Sequence, residues 1–361
     1  MTEEQIRNVI ARFSDPVLKN DFSSLGFIKN ISLKGTSLTL VLGTSDIDSH
    51  QLESITGEMR KTLEAEFPNL ENIDIEFKPA ILTHKNQKKS ILMPEVKNTI
   101  AVASGKGGVG KSTVTVNLAC ALTSMGFKVG IIDADIYGPS IPLMMNLKGK
   151  PSVAKADGKN KLVPMEQYGV EVMSIGFLME EGTAVVWRGP MASSALKQFM
   201  GDVIWGKLDF LLFDMPPGTG DIQLTLTQTL PLTGGIIVTT PQEISLADAR
   251  KGHIMFSKVN VPTLGIIENM SYYEKEDGSK DHIFGQGGGK KMSDEYNVQL
   301  LGEIPINTKI REYGDNGKPV VLAEPDSPEA QSFNTIAKKL VKEINLRNNK
   351  TKEIPSLEIE I

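Results

Sequence analysis

The sequence predicts an α/β protein in which helices cover a mostly parallel sheet, with a small α+β domain ahead of it. From residue 98 onward, strand-like apolar runs alternate with helical patterns, which is typical of a parallel sheet. A glycine-rich stretch at 105–110 joins one such strand to a helix. Residues 1–80 follow a different order, namely helix, two strands, helix and strand. We therefore interpret them as a separate domain.

In the second predicted domain, residues 98–347, the alternation is regular. Strand-like runs lie at 98–103, 128–133, 170–175, 209–214, 235–240, 263–268 and 299–303. Helical patterns lie at 111–125, 191–200, 242–258 and 328–346. Ligands of such sheets bind beyond the carboxyl ends of the strands. We expect the functional site at that edge.

The remaining segments carry no pattern that indicates catalysis. In residues 1–80, helical spacing at 3–13 and 46–67 alternates with strand-like runs in 27–42 and 72–77. This domain is interpreted either as a client-docking or regulatory surface or as a structural appendage. Residues 81–97 are polar, basic and end near a proline, which predicts a linker, and residues 348–361 are predicted to form a tail.

Composition excludes several classes of function. The chain has 361 residues and a formal net charge of −5, so no global basic field favours nucleic acid as a partner. Apolar runs are too short to span a bilayer, and the N-terminus lacks a signal-peptide pattern. We therefore expect a cytoplasmic protein with no membrane partner. The single cysteine, Cys120, lies in an apolar helical pattern, so we interpret it as a buried core residue.

The stretch from Gly105 to Ser112 fits the phosphate-loop pattern of two glycines, then lysine and serine or threonine. Glycines allow a tight turn whose backbone N–H groups point at an anion, next to a helix N-terminus. Lys111 is placed to meet the β- and γ-phosphates of ATP, and the Ser112 hydroxyl is suited to Mg²⁺. The predicted phosphate-binding residues are Gly105, Lys106, Gly107, Gly108, Val109, Gly110, Lys111, Ser112 and Thr113. The domain is thus predicted to be a phosphate-loop NTPase.

Two later strands end in aspartate. The strand at 128–133 ends in Asp133 and is followed by Asp135, and the strand at 209–214 ends in Asp214. A carboxylate there can help to hold Mg²⁺ at the phosphate end of the sheet, which favours Asp214 as the second metal ligand. The alternative for each aspartate is a helix cap or a loop residue, and for Asp133 both interpretations stand.

The loop sequence GKGGVGKST resembles that of the deviant phosphate-loop ATPases, the group of the nitrogenase iron protein, MinD and ParA. The resemblance implies that Lys106 reaches the partner's phosphates in a nucleotide-sandwich homodimer, and that it is catalytic together with Lys111. It also implies that Asp135 orients the attacking water and that Asp214 belongs to the second switch.

Further motifs resemble those of the Mrp/ApbC family of iron–sulfur cluster carrier ATPases. They are DADIYGPS (133–140), VWRGPM (186–191), DMPPGTGDIQLTL (214–226), TTPQEISLADARKG (239–252), ENMSYY (268–273) and FGQGGG (284–289). The resemblance implies ATP, Mg²⁺ and an iron–sulfur cluster as cofactors, and apoprotein clients or other assembly proteins as partners. It also implies that Asn269, Pro305 and Arg311 flank the adenine.

One family feature is missing. The Cys-x-x-Cys pair expected shortly after ENMSYY is absent, and 273–282 reads YEKEDGSKDH, so no iron–sulfur ligand is predicted. Two hypotheses follow, a carrier ATPase of clusters and a nucleotide-switched client-binding ATPase that holds none. A third, a MinD-like positioning ATPase, is disfavoured by the acidic residues after 352. The role of Gly285–Gly289 stays open.

Overall fold

The computed structural model describes residues 1–84, 93–135, 138–156, 158–178 and 189–353. The chain divides into two compact units, Met1–Leu82 with Val341–Ile361, and Thr83–Leu340. Most of the predicted linker, part of the VWRGPM motif and the last eight residues of the predicted tail lie outside the described residues.

The first unit is a three-stranded sheet with helices. Its elements are α1 (Glu3–Ile10), β1 (Ile28–Lys34), β2 (Ser37–Thr44), α2 (Gln51–Glu66) and β3 (Asn72–Pro79). The strand order is β1–β2–β3, with β1 and β2 antiparallel and β2 and β3 parallel. Helix α1 starts with a capping box in which Thr2 and Gln5 satisfy each other's backbone N–H groups. Its apolar face, Ile6, Val9 and Ile10, is fully buried in the core of this unit.

The C-terminal helix also contributes to this unit. Helix α11 (Pro328–Glu353) adds its residues from Val341 onward. The Asn345 side chain accepts a hydrogen bond from Leu82 N–H and donates one to the carbonyl of Ala80, each 2.8 Å long. The predicted domain boundary after residue 347 falls inside this helix. The end of the helix belongs to the first unit because its buried asparagine amide binds backbone groups of that unit.

Among its described residues, the second unit forms twelve strands, eight of which belong to one large sheet. Its strands are β4 (Val96–Ser104), β5 (Val129–Asp133), β6 (Val153–Ala156), β7 (Lys159–Leu162), β8 (Met165–Gln167), β9 (Val170–Ser174), β10 (Leu208–Asp214), β11 (Gly234–Thr239), β12 (Thr263–Glu268), β13 (Tyr273–Glu274), β14 (Lys280–Asp281) and β15 (Leu300–Glu303). Its other helices are α3 (Lys111–Ser124), α4 (Ile141–Met144), α5 (Gly189–Gly201), α6 (Asp221–Thr229), α7 (Glu243–Lys258), α8 (Gly288–Tyr296), α9 (Thr308–Asp315) and α10 (Val320–Ala323).

The order of strands in the large sheet is β15–β12–β11–β4–β10–β5–β9–β8. All neighbours are parallel except β8, which runs antiparallel to β9 at the edge. The α/β fold class is confirmed. The seven predicted strands of this domain correspond to β4, β5, β9, β10, β11, β12 and β15.

The hairpin of β6 and β7 and the edge strand β8 were not predicted. They are three or four residues long, and lysines interrupt the hairpin strands, as in KNKL. Such short polar strands lack the continuous apolar pattern of a strand buried on both faces. Among the described residues, no helix is long and apolar enough to cross a membrane.

Candidate nucleotide-binding site

The phosphate loop connects β4, the fourth strand from the β15 edge, to α3. Gly108 and Gly110 have φ values of +80° and +82°, which L side chains rarely adopt, and Gly110 caps the helix. A Cβ on Gly105 would lie 2.2 Å from the backbone carbonyl carbon of Asp248 in α7. Glycine is therefore favoured at Gly108 and Gly110 by the backbone conformation, and at Gly105 by the lack of space for a side chain. The loop is followed directly by the N-terminus of α3. Backbone N–H groups of a loop and of a helix N-terminus together suit an anion.

Asp214, fully buried at the end of β10, accepts hydrogen bonds from three polar side chains of α3. The Lys111 ammonium donates to its Oδ2 over 2.8 Å, and the Ser112 hydroxyl donates to the same oxygen over 2.6 Å. Thr115 donates to Oδ1 over 2.7 Å. Thr115 was not predicted, although it lies four residues after Lys111 and therefore on the same helix face. The structure thus brings the two predicted metal ligands, Ser112 and Asp214, together.

Two more carboxylates lie beside this cluster. Asp135 Oδ2 is 3.6 Å from the Lys111 ammonium. Burial raises the pKa of Asp135, and the positive charge of Lys111 opposes that rise. Burial and the Asp214 carboxylate raise the pKa of Asp133, which is completely buried, to about 8. Two carboxylates, Asp135 and Asp214, thus face one ammonium, and Asp133 lies beside Asp214 at the edge of the sheet where a phosphate chain would be held.

An apolar cleft of ≈ 430 Å³ adjoins the loop. It is lined by residues of the loop and α3, of α4, of the segment after β12, and of the segment 305–315, namely Gly110, Thr113, Met144, Asn269, Met270, Pro305, Ile306, Asn307, Thr308, Ile310, Arg311, Gly314 and Asp315. The three residues predicted to flank the adenine are all among them. A mostly apolar cleft with a few polar groups is the usual form of a base-binding site.

Asn269 connects this cleft to the phosphate loop. Its side-chain amide donates to the carbonyl of Val109 over 2.8 Å, and its own N–H donates to the carbonyl of Thr239. A Cβ on Gly110 would lie 2.3 Å from the Asn269 nitrogen. Asn269 therefore braces the loop as well as lining the cleft. Lys106 lies at the loop, half-buried, and its carbonyl accepts a hydrogen bond from the Ser104 hydroxyl.

The glycines at 285–289 lie next to Pro241, which is in the loop that follows β11. Gly287 has a φ of +70° and caps α8. The N–H of Gly289 donates to the buried carboxylate of Glu268, and a Cβ on Gly288 would lie 2.5 Å from the carbonyl oxygen of Pro241. The motif therefore permits close packing of α8 against the residues that precede Asn269 and α7.

The hairpin of β13 and β14 occupies the stretch where the cysteine pair is missing. The Lys280 ammonium lies 3.8 Å above the ring of Tyr272, and His282 Nδ1 lies 3.1 Å from the carbonyl of Ser271. Across the described ranges, no group of three or more His, Cys, Asp or Glu side chains is placed to hold a metal ion. Cys120 is buried in α3, and burial raises the pKa of its thiol to about 12, which opposes formation of the thiolate.

A phosphate loop between a central strand and a helix, with a strand-end aspartate and an adjoining base cleft, defines a nucleotide-binding P-loop protein. Comparison with known families gives the particular family. Residues 95–341 match the ParA family, described as NUBPL iron-transfer P-loop NTPase. The chain belongs to this family, and the family predicted from the motifs is confirmed.

Curated relatives match over nearly the whole chain. An iron–sulfur cluster carrier protein of Haemophilus influenzae is 43% identical over 346 residues, covering 95% of this chain and 92% of the relative. The protein of the same name from Escherichia coli K12 is 41% identical over 343 residues, covering 94% and 91%. Since the match includes residues ahead of the NTPase domain, the relatives share the N-terminal region as well.

Solved structures match the second unit's fold. A nucleotide-binding protein of Archaeoglobus fulgidus in complex with ADP has 38% identity and a TM-score of 0.58, covering 70% of this chain and 97% of that one. The cell division ATPase MinD of Pyrococcus furiosus has 26% identity and a TM-score of 0.52, covering 68% and 98%. Both are similar to this chain.

Proposed function

We propose that this protein is an ATPase of iron–sulfur cluster assembly, which hydrolyses ATP to ADP and phosphate and delivers clusters to apoproteins as a homodimer. The observation that carries the ATPase part is the contact of Lys111, Ser112 and Thr115 with Asp214 beside a base cleft. The carrier part is supported by the family and by the names of its relatives.

The residues at the loop fit a magnesium ion bound with ATP. Mg²⁺ prefers hard oxygen ligands and is usually held by one or two protein groups together with phosphates and waters. The Ser112 hydroxyl and the Asp214 carboxylate, 2.6 Å apart, supply such oxygens. When bound there, Mg²⁺ neutralises charge on the phosphate oxygens.

The other side chains have distinct proposed tasks. The loop from Gly105 to Thr113 wraps the phosphates, and Lys111 binds the β- and γ-phosphates through its ammonium. Asp135, close to that ammonium, accepts a hydrogen bond from the attacking water and orients it. Lys106 reaches across the dimer to the partner's phosphates and stabilises the charge that develops on the transferring group.

Adenine is proposed to occupy the cleft between Asn269 and the segment from Pro305 to Arg311. The apolar lining suits the base faces, and Asn269 retains its side-chain oxygen as an acceptor after donating to Val109. Because that amide also braces the phosphate loop, base and phosphates are bound by one connected structure. This supports adenine nucleotides as ligands.

A second candidate function is a nucleotide-switched client-binding ATPase that holds no cluster itself. It is favoured by the single cysteine, which is buried and has a raised pKa. A four-iron cluster shared by two subunits needs four ligands, usually thiolates. This chain supplies no exposed cysteine among the described residues. In this alternative, client docking is controlled by ATP and the thiolates belong to another chain.

Anaerobic reconstitution with iron and sulfide distinguishes the two candidates. After desalting, iron and acid-labile sulfide are counted per subunit, and ATP binding and hydrolysis are measured on the same sample. About two irons and two sulfides per subunit would support a shared cluster. A count near zero with intact ATP hydrolysis would support the cluster-free switch. Cys120→Ala is the control, because a count that falls with this variant would assign Cys120 as a ligand despite its burial.

A further inference from the structure

Three neighbouring strands end in polar residues in one register row. Asp214 of β10 pairs with Asp133 of β5, and Asp133 pairs with Ser174 of β9. All three side chains are fully buried. Asp214 belongs to the phosphate site described above, whereas Ser174 has no role in the proposed mechanism. The row therefore leads from the phosphate loop to a residue two strands away.

The Ser174 hydroxyl is both a hydrogen-bond donor and a hydrogen-bond acceptor. Its Oγ donates to Asp133 Oδ2 over 2.9 Å and accepts a hydrogen bond from the N–H of Gly176 over 3.0 Å. Gly176 belongs to a 3₁₀ turn, Ile175–Phe177, that directly follows β9. A buried hydroxyl with both donor and acceptor satisfied has a defined orientation.

Asp133 connects Ser174 to the backbone of Asp135 by hydrogen bonds. Its second oxygen, Oδ1, accepts a hydrogen bond from the backbone N–H of Asp135 over 3.2 Å. The backbone of Gly176 also lies close to Pro139, since a Cβ built on Gly176 would come within 3.2 Å of the Pro139 Cβ. Asp133 thus holds the backbone N–H of Asp135, and the turn that Ser174 caps lies next to Pro139.

We propose that Ser174 is a positioning residue for ATP hydrolysis. Acting through Asp133, it holds the backbone of Asp135 so that the Asp135 carboxylate meets the attacking water. This inference rests on the proposed ATPase function and extends it by one residue outside the phosphate-binding motifs. Small displacements of a group that orients a nucleophile lower the rate more than they lower substrate affinity.

The alternative role for Ser174 is that of a local cap of the 3₁₀ turn, which would affect stability alone. The test compares wild type, Ser174→Ala, Asp133→Ala and the double variant. Turnover is measured at saturating ATP. Binding of ADP with beryllium fluoride, a ground-state mimic, is compared with binding of ADP with aluminium fluoride, a transition-state mimic. The ratio of the two affinities is taken from one sample, so it does not depend on the fraction of folded protein.

We expect Ser174→Ala to lower kcat about tenfold, because Asp135 is then held less firmly in the geometry that orients the attacking water. The ratio of affinities should fall by a similar factor, while affinity for the ground-state mimic stays within about twofold. The double variant should be no slower than Asp133→Ala, because both substitutions break one chain of contacts. Ser293→Ala is the matched control, since Ser293 is buried and donates to the carbonyl of Val298 away from the loop.

Unchanged turnover of Ser174→Ala beside an active wild type would overturn this inference and leave the proposed ATPase function standing. A parallel loss of affinity for both mimics, or additive effects in the double variant, would also overturn it. A wild-type protein that binds ATP without hydrolysing it would overturn the proposed function and this inference together.

Discussion

Asp15 of the first unit and Asp214 of the second are both completely buried, and the two are held in different ways. In the first unit, the donors that Asp15 meets among the described residues are neutral groups. Its five donors are the N–H groups of Val17, Leu18 and Ser45 and the hydroxyls of Thr44 and Ser45, at 2.6 to 3.1 Å. In the second unit, Asp214 accepts from the ammonium of Lys111 and from two hydroxyls of the same helix.

We interpret this difference as one between a structural carboxylate and a carboxylate of the proposed nucleotide site. The Asp15 carboxylate is satisfied by the loop around it and by the end of β2, so its charge holds a local fold in place. Asp214 lies beside Asp133, with Asp135 also facing Lys111, an arrangement that a stable core would not need. Perturbed and crowded charges of this kind are concentrated at functional sites. Burial of a carboxylate alone therefore does not indicate function, whereas the charge of its partners does.

The largest expected effect is that of Asp214→Asn, which we predict lowers kcat for ATP at least about a thousandfold. The substitution removes the carboxylate that contacts the Lys111 ammonium and Ser112. Stability should fall by about 1–2 kcal/mol, less than in Asp15→Asn, because the Thr115 hydroxyl can turn to accept from the new NH₂ group and Asp135 still faces Lys111. Steady-state turnover and chemical denaturation measure the two quantities. A variant with near-normal turnover would place Asp214 in the structural class of Asp15.

Lys106→Ala tests whether the second lysine of the loop acts on substrate. We predict a loss of about a thousandfold in kcat, the effect of an arginine finger, with ATP affinity within about threefold of wild type. Hydrolysis by the wild type should rise with the square of protein concentration when dimers are scarce, and this dependence should vanish in the variant. Normal turnover in Lys106→Ala would contradict the proposed contact across the dimer.

Lys111→Ala should weaken ATP binding about a hundredfold or more, because the ammonium that meets the β- and γ-phosphates is lost. It also leaves Asp214 without its cation in a buried site, so we expect the free energy of unfolding to fall by about 3 kcal/mol. Calorimetric titration with ATP and denaturation in urea measure these effects. Unchanged affinity would show that the loop is not the nucleotide site.

The parts of the fold that were predicted from sequence are those that local pattern determines. The central strands are buried on both faces and therefore appear as continuous apolar runs, as in β4 and β10. The phosphate loop depends on residue types at fixed spacing within one segment. The strand-end aspartates Asp133 and Asp214 were found for the same reason, since each directly follows an apolar run.

The parts that were missed depend on contacts between distant segments. Ser174 gains its contact with Asp133 from the register of β5 and β9, which the sequence of neither strand contains. The five partners of Asp15 come from the residues after it and from the end of β2, so no single motif marks it. The C-terminal helix continues into the first unit because its asparagine amides meet backbone groups near residue 82. A one-dimensional pattern does not identify such partners.

The smallest expected effect on the nucleotide site is that of a substitution in the first unit. In Asp15→Asn, one carboxylate oxygen becomes an NH₂ group that faces donors, so at least one backbone N–H loses its acceptor. We expect the free energy of unfolding to fall by about 3 kcal/mol. The exposed Asp74 of β3 provides the control, and Asp74→Asn should stay within about 0.5 kcal/mol of wild type. ATP affinity of the folded Asp15→Asn protein should be unchanged, because every residue assigned to the nucleotide site belongs to the second unit. If this variant instead binds ATP more weakly without losing stability, Asp15 takes part in function and the division between the two carboxylates fails.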